Sequence, residues 1–548
     1  MSKTQKTFMA GAMILAVAGV LSKVLGAIFR IPLTNFIGAE GMGYYQAAYP
    51  VYTLILIVSQ AGFPVAISRL VSERVVVGDY YGAHRVYRVS LTVMAIVGTF
   101  FTLLLWFLAE PLTRYLEDLN GAVHAMRAIA PAIFFVTIMS AQLGYFQGLR
   151  NMRPSAVIQV VEQLFRVGIG LLLAYLLLSK GKDYAAAGAT FGATAGGIAG
   201  FLVVMLIYIA FRRTRGFDAR LEASHIRFQD QQQSVKTILS RLFAITIPIT
   251  IGASIMPIMY NLDLVIVANR LSAAGWNPED VRSMYGQLTA MAGSVVNLPF
   301  VLTEAMAISI VPTVVAAWKM RDTRFLHRNV TLSIQVTSII AMPCMIGMMA
   351  LAKPIMLLLY PTQKEDAIAA APSFFILAIG ILFLGLNTSL TAVLQGVGRQ
   401  GVPVRNMFIG ALFKALFTFV LTGIPALNIR GAAAGTVIAY LIAAVLNTLA
   451  VKKYTRARIE WSKSILRPFI SALVMGGLAY LSHKLLLGIL GNSLSTLVGV
   501  ALGGICYVVM LFVTKAVTEE ELAGFPKGKT LVKMYRKVLT RNSKGARM

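Results

Sequence analysis

The sequence predicts an all-α integral membrane protein with fourteen transmembrane helices. Of its 548 residues, 57% are hydrophobic and only 13% are charged, about half the charged share of a soluble domain. Fourteen apolar stretches of roughly 20 residues each match the ~30 Å hydrocarbon core of a bilayer. The loops between them alternate between basic and nearly neutral. Most of the 50 Lys and Arg fall on one side together with both termini, and the positive-inside rule makes that side cytoplasmic.

The first span, residues 7–29, is too long for a signal-peptide core and lacks a clear cleavage site, so it reads as a retained helix. The second, 43–66, leads into Arg69, Arg74, Arg85 and Arg88. Spans 89–109 and 128–148 follow, then a basic turn with Arg150 and Arg153. Spans 155–178 and 185–211 precede a polar linker rich in Arg. Spans 240–267, 284–315, 330–352, 372–395, 405–424 and 431–451 make a second series, and 468–488 and 494–514 complete the set. Pro50, Pro64, Pro248, Pro257, Pro299 and Pro343 lie inside spans, where proline often marks a bend beside a cavity.

The chain repeats itself. Phe146-Gln147-Gly148 before Pro154 matches Leu394-Gln395-Gly396 before Pro403, 248 positions later. Ala187-Gly188-Ala189-Thr190 matches Ala434-Gly435-Thr436 at 247, and Ala66-Ile67-Ser68 matches Ala307-Ile308-Ser309 at 241. A repeat of six helices is even, so the copies share one orientation and form two parallel lobes. Residues 1–236 are expected to hold the first lobe and the inter-lobe linker, 237–460 the second lobe, 461–515 two extra helices, and 516–548 a basic cytoplasmic tail. In the tail, Thr518 with Glu521 resembles a capping box. The basic run after Pro526 suits either an amphipathic helix on anionic lipid or a solvated tail.

Ionisable groups inside the membrane cost at least about 2.5–3.5 kcal/mol on insertion scales, so their default reading is functional. Gly19, Lys23, Gly26 and Arg30 fall on one stripe of the first helix, which reads as a cavity wall unless Arg30 snorkels at the helix end. Glu162 and Arg166 are spaced i, i+4 beside Gln159 and Gln163, compatible with an internal ion pair. Lys414 has no acid on its own helix. Arg69 stands at a span end, as an inner-mouth residue or a topology charge. The acids Asp263 and Glu304 could pair with these cations or bind a coupling H⁺ or Na⁺.

The net charge of +28 is explained by the cytoplasmic loops, so no nucleic-acid partner is expected. The chain contains no Walker motif, no His/Cys ligand cluster and no G-x-S-x-G elbow, and Cys344 and Cys506 lie in apolar spans. The expectation is no enzyme, no catalytic residue, no metal and no cofactor.

Ser22-Lys23-Val24-Leu25-Gly26, Arg30-Ile31-Pro32, Gly38-Ala39-Glu40-Gly41 and Tyr44 through Tyr52 resemble the opening of the polysaccharide-biosynthesis/sporulation SpoVB-like group. Gly62 to Glu73, Gly144 to Gly148, Met152-Arg153-Pro154 and Gln159 to Gln163 extend the likeness over nearly the whole chain. That group belongs to the multidrug/oligosaccharidyl-lipid/polysaccharide exporter superfamily and is similar to MurJ-type lipid II flippases. The resemblance implies two six-helix lobes around a central cavity, with two added helices forming a groove for a polyprenyl tail. It also implies functional cations on the first helix, with Lys23 where Arg is common. A sodium site on an acid of the eleventh helix does not carry over, because Lys414 stands on that helix and no acid does.

Together these observations predict a flippase for an undecaprenyl-pyrophosphate-linked saccharide, with lipid II as first candidate. Lys23, Arg30, Arg69, Arg166 and Lys414 would bind the pyrophosphate or headgroup, with Glu162, Asp263 and Glu304 as counter-charges or coupling groups. The partners are the lipid-linked substrate and membrane lipids, in a multi-pass monomer of the bacterial cell membrane. The alternatives are a flippase for another lipid-linked unit and a drug/cation antiporter, which would favour an acid-dominated cavity.

Overall fold

A computed structural model of the chain describes residues 3–115, 121–213, 217–228, 232–457 and 459–517, with side chains from residue 17 onward except at 20, 23, 217, 305, 308 and 309. No strand occurs among the described residues. Among the described residues, eleven helical stretches are long and apolar enough to cross a membrane, so this is an integral membrane protein. The chain divides into two compact units, Met1–Gly286 and Gln287–Met548.

The first unit contains α1 (Lys3–Gln60), α2 (Phe63–Val76), α3 (Tyr80–Tyr115), α4 (Ala122–Gly148), α5 (Arg153–Leu177), α6 (Lys182–Arg212), α7 (Phe217–Arg227), α8 (Val235–Ala273) and α9 (Pro278–Gly286). The second begins with a π-turn at Gln287–Ala292 and continues through α10 (Gly293–Val296), α11 (Leu298–Lys319), α12 (Thr323–Ala350), α13 (Ala352–Leu359), α14 (Lys364–Gly396), α15 (Gly401–Thr422), α16 (Ile429–Thr455) and α17 (Arg467–Val513). Helix α8, the seventh span of the sequence, packs on α1 and α2 within the first unit.

Two differences from the sequence expectation concern span ends. The first span runs past Arg30 to a break at Gly38, where φ is 71° and ψ 179°. After that break α1 continues through the second span, so the two merge into one helical stretch. Helix α17 merges the last two spans in the same way around Gly491, at φ 68°. Such lengths, about 87 Å for 58 helical residues, exceed a bilayer unless the chain turns back, and glycine permits the positive φ of the turn. The expected eighth span, 284–315, is interrupted by the π-turn, by Asn297 and by Pro299 at the start of α11.

The internal repeat is visible in the packing of each unit. Gly148 at the end of α4 abuts Val71 of α2, and a Cβ there would lie 2.7 Å from that side chain; Gly396 at the end of α14 meets Val314 of α11 at the same distance. Gly188, Gly192 and Gly196 on successive turns of α6 face the α5 backbone at Leu173, Arg166 and Glu162. In the second unit, Gly431 and Gly435 of α16 face Leu421 and Lys414 of α15. Glycine ladders of this kind let membrane helices approach closely. The contacts pair α5 with α15 at 248 positions, but α6 with α16 at 243. Gly188 therefore corresponds to Gly431, one helical turn from the Gly435 match that the sequence suggested. Likewise Val71 corresponds to Val314, giving 243 for α2 and α11 rather than 241.

This register brings out an asymmetry. Met139, Ile158 and Val204 share a buried apolar cluster of the first unit. Their counterparts are Asn387, Asn406 and Asn447, all buried. Asn406 Nδ2 donates to Asn447 Oδ1 at 2.8 Å, and Asn447 Nδ2 donates to Asn387 Oδ1 at 2.5 Å.

Candidate functional site

The charged residues of α5 are held from two sides. Behind them, Gly192 and Gly196 of α6 let that helix press against the Arg166 and Glu162 carbonyls. In front, α1 docks: Ser22 Oγ donates to the Gln159 carbonyl at 3.2 Å. Gly19 and Gly26 receive the Gln159 and Gln163 side chains, with would-be Cβ distances of 3.7 and 3.2 Å. The glycines of the expected cavity wall are thus a helix-packing seam. A stripe without side-chain bulk lets a neighbouring helix approach as readily as it opens a space.

Beside this seam lies the charged cluster. Arg166 Nη2 donates to Glu162 Oε1 at 2.7 Å, with each side chain less than one-fifth exposed. Arg166 Nη1 donates to the Tyr49 hydroxyl at 3.3 Å. The Arg30 guanidinium lies over the Tyr49 ring, 5.8 Å from its centroid, within cation–π range. Tyr49 also stacks on Tyr45 at 5.6 Å and contacts Tyr52 at 5.9 Å. Two guanidiniums therefore converge on one phenol, with Glu162 as the carboxylate paired to Arg166. Planar guanidiniums are suited to bidentate binding of phosphate oxygens.

The other candidates are placed as follows. The Lys23 side chain lies outside the described residues. Arg69 belongs to a separate cluster, where it pairs with Glu73 at 3.2 Å and Glu73 pairs with Arg241 of α8 at 2.6 Å. Asp263 is half-buried on α8, six residues past Pro257 within the same continuous helix. The neighbouring Asn261 donates to the carbonyls of Pro257 and Pro50, tying α8 to α1. Glu304 and Lys414 are half-buried in the second unit. By the packing register Lys414 is the counterpart of Arg166, and Gly410 stands where Glu162 does. Tyr49 is a candidate that the sequence alone does not single out. Its available signal was the Tyr45, Tyr49, Tyr52 spacing on an apolar helix, since phenols buried in a membrane need hydrogen-bond partners.

Comparison with known proteins adds lineage to this geometry. The family described as "Polysaccharide biosynthesis protein" matches residues 8–318. The chain is 27% identical over 523 residues to "Stage V sporulation protein B" of Bacillus subtilis (strain 168), covering 95% of this chain and 98% of that protein. It is 26% identical over 501 residues to "Lipid II flippase MurJ" of the same organism, covering 88% and 89%. A solved structure of "Lipid II flippase MurJ, inward closed conformation" superposes with a TM-score of 0.67 at 16% identity, covering 91% of this chain and 98% of that one.

Proposed function

The chain belongs to the polysaccharide biosynthesis protein family, and from that premise we propose that it is a flippase. Its cargo is a polyprenyl-pyrophosphate-linked saccharide, lipid II first among them, moved from the inner to the outer leaflet of the bacterial cell membrane by alternating access. The relatives named for lipid II flipping and for sporulation support this reading. The observation that carries it is the meeting of Arg30 and Arg166 at Tyr49.

A pyrophosphate headgroup crosses hydrocarbon slowly because nothing there replaces its water. Guanidiniums held inside the protein supply that replacement and need no large rearrangement to do so. Arg30 and Arg166 are the proposed phosphate ligands, with Lys414 as the equivalent cation of the second repeat. Glu162 holds Arg166 in place between cargoes. An inside-negative potential assists outward movement of the anion by about 2.3 kcal/mol per charge per 100 mV. In this reading fourteen spans form two six-helix lobes, 1–236 and 237–460, with 461–515 as the lipid-tail groove; both termini are cytoplasmic, the protein is a monomer and no step is catalytic. The 516–548 tail lies almost wholly outside the described residues.

The test is depletion of the protein followed by a leaflet-specific assay of lipid-linked precursors. Lipid II trapped in the inner leaflet is the expected result. An unchanged lipid II distribution with another lipid-linked saccharide trapped instead would reassign the cargo, and no trapped precursor of any kind would overturn the flippase reading.

A further inference from the structure

The linker between the sixth and seventh spans does more than join them. Its helix α7 is pinned to the start of α3: the Tyr81 backbone N–H donates to Ser224 Oγ at 3.1 Å, and Ser224 Oγ donates to Asp79 Oδ1 at 3.4 Å. Asp79 is itself buried and fixed by Arg74 at 3.0 Å. The His225 ring packs edge-on against Tyr81 at 4.1 Å. Between α3, α6 and this docked helix lies a crevice of about 710 Å³.

The lining is divided by chemistry. The floor is mainly apolar and aromatic, with Leu91, Met205 and Tyr208 beside the buried His84 ring. The rim carries Arg88 and Arg212, and the α7 roof carries Asp218 and Glu222. Arg88 immediately precedes the third apolar span and Arg212 immediately follows the sixth, so the rim lies at the hydrocarbon boundary on the basic side. Arg212 and Asp218 are 3.7 Å apart and largely exposed, too distant for a hydrogen bond and weakly coupled.

We propose that this crevice binds a zwitterionic phospholipid of the phosphatidylethanolamine type. The phosphate sits at the Arg88 and Arg212 guanidiniums, which favour phosphate oxygens. The ammonium sits at the Asp218 and Glu222 carboxylates, and an acyl chain lies along the apolar floor. A purely anionic headgroup meets the two roof carboxylates as like charges, and a soluble phosphate ester leaves the floor uncovered. The lipid therefore bridges α7 to the transmembrane helices and holds the linker docked. This site is separate from the Arg30–Arg166 cluster and stands whether or not that cluster carries the cargo.

The experiment is native mass spectrometry of the full-length, detergent-solubilised protein titrated with phosphatidylethanolamine, phosphatidylglycerol or undecaprenyl pyrophosphate. One phosphatidylethanolamine is expected to be retained in preference to the others. Arg88→Ala with Arg212→Ala should weaken that binding about tenfold. Asp218→Asn with Glu222→Gln, at exposed positions, should reverse the preference toward phosphatidylglycerol. Equal or tighter binding of phosphatidylglycerol to the unaltered protein would overturn the proposal. So would tighter undecaprenyl pyrophosphate binding, which would make the crevice a cargo-loading site. Unchanged phosphatidylethanolamine binding in both double variants would also sink it.

Discussion

At residue scale, Tyr49 divides its chemistry between two cations: its hydroxyl accepts from Arg166 and its ring face lies under Arg30. Tyr49→Phe keeps the ring and removes the acceptor. The expected result is a several-fold fall in transport, matching the roughly 1 kcal/mol of one hydrogen bond, whereas Tyr49→Leu should lose both interactions and nearly all activity. A reconstituted-vesicle flipping assay distinguishes these, and equal rates for all three proteins would show that Tyr49 is only packing. The Glu162–Arg166 pair was legible in the sequence because i, i+4 spacing fixes it on one helix. Tyr49 was not, because its partner is 117 positions away and only helix packing brings them together.

At element scale, the glycine ladders decide where the charged turns of α5 and α15 sit. A Cβ at Gly192 would collide with the Arg166 carbonyl, while Gly168 on α5 has nothing within 4 Å. Gly192→Ala should therefore lower thermal stability and impair transport by pushing α6 off the Arg166 turn. Gly168→Ala should leave transport intact and raise stability slightly, by up to about 1 kcal/mol of helix propensity. Thermal unfolding and flipping measured on both variants check this, and a harmless Gly192→Ala would remove the ladder argument. The asparagine trio gives a second contrast. Asn447→Val leaves Asn387 and Asn406 without their mutual partner and should cost about 1–3 kcal/mol. The triple change Asn387→Met, Asn406→Ile, Asn447→Val copies the apolar cluster of the first unit and should recover most of that loss. If the triple variant unfolds at lower temperature than the single one, the two repeats are not interchangeable in packing. The sequence showed that a repeat existed but placed two of its three matches out of register. Small residues recur every turn in membrane helices, so a short match can slip by one turn without looking worse.

For the whole molecule, apolar length set the class and glycine set the turning points. Gly491 sits at φ 68° and ψ 176° with open space around it, so Gly491→Ala should cost only the strain of a backbone conformation essentially reserved for glycine, about 1–3 kcal/mol. A thermal shift assay checks this, and a far larger loss would mean that neighbouring groups constrain that turn. The sequence by itself determined that the chain lives in a membrane, that it is helical and internally repeated, and that its family is one of polysaccharide biosynthesis. Hydropathy, charge asymmetry and local motifs are properties of the chain read along its length, so no fold is needed to see them. Only the tertiary structure decided that the glycines of the first helix are a packing seam, that Arg30 and Arg166 share one tyrosine, and that α7 closes a crevice against α3 and α6. Those facts depend on which side chains meet across helices, and such meetings are set by packing register rather than by spacing along the sequence.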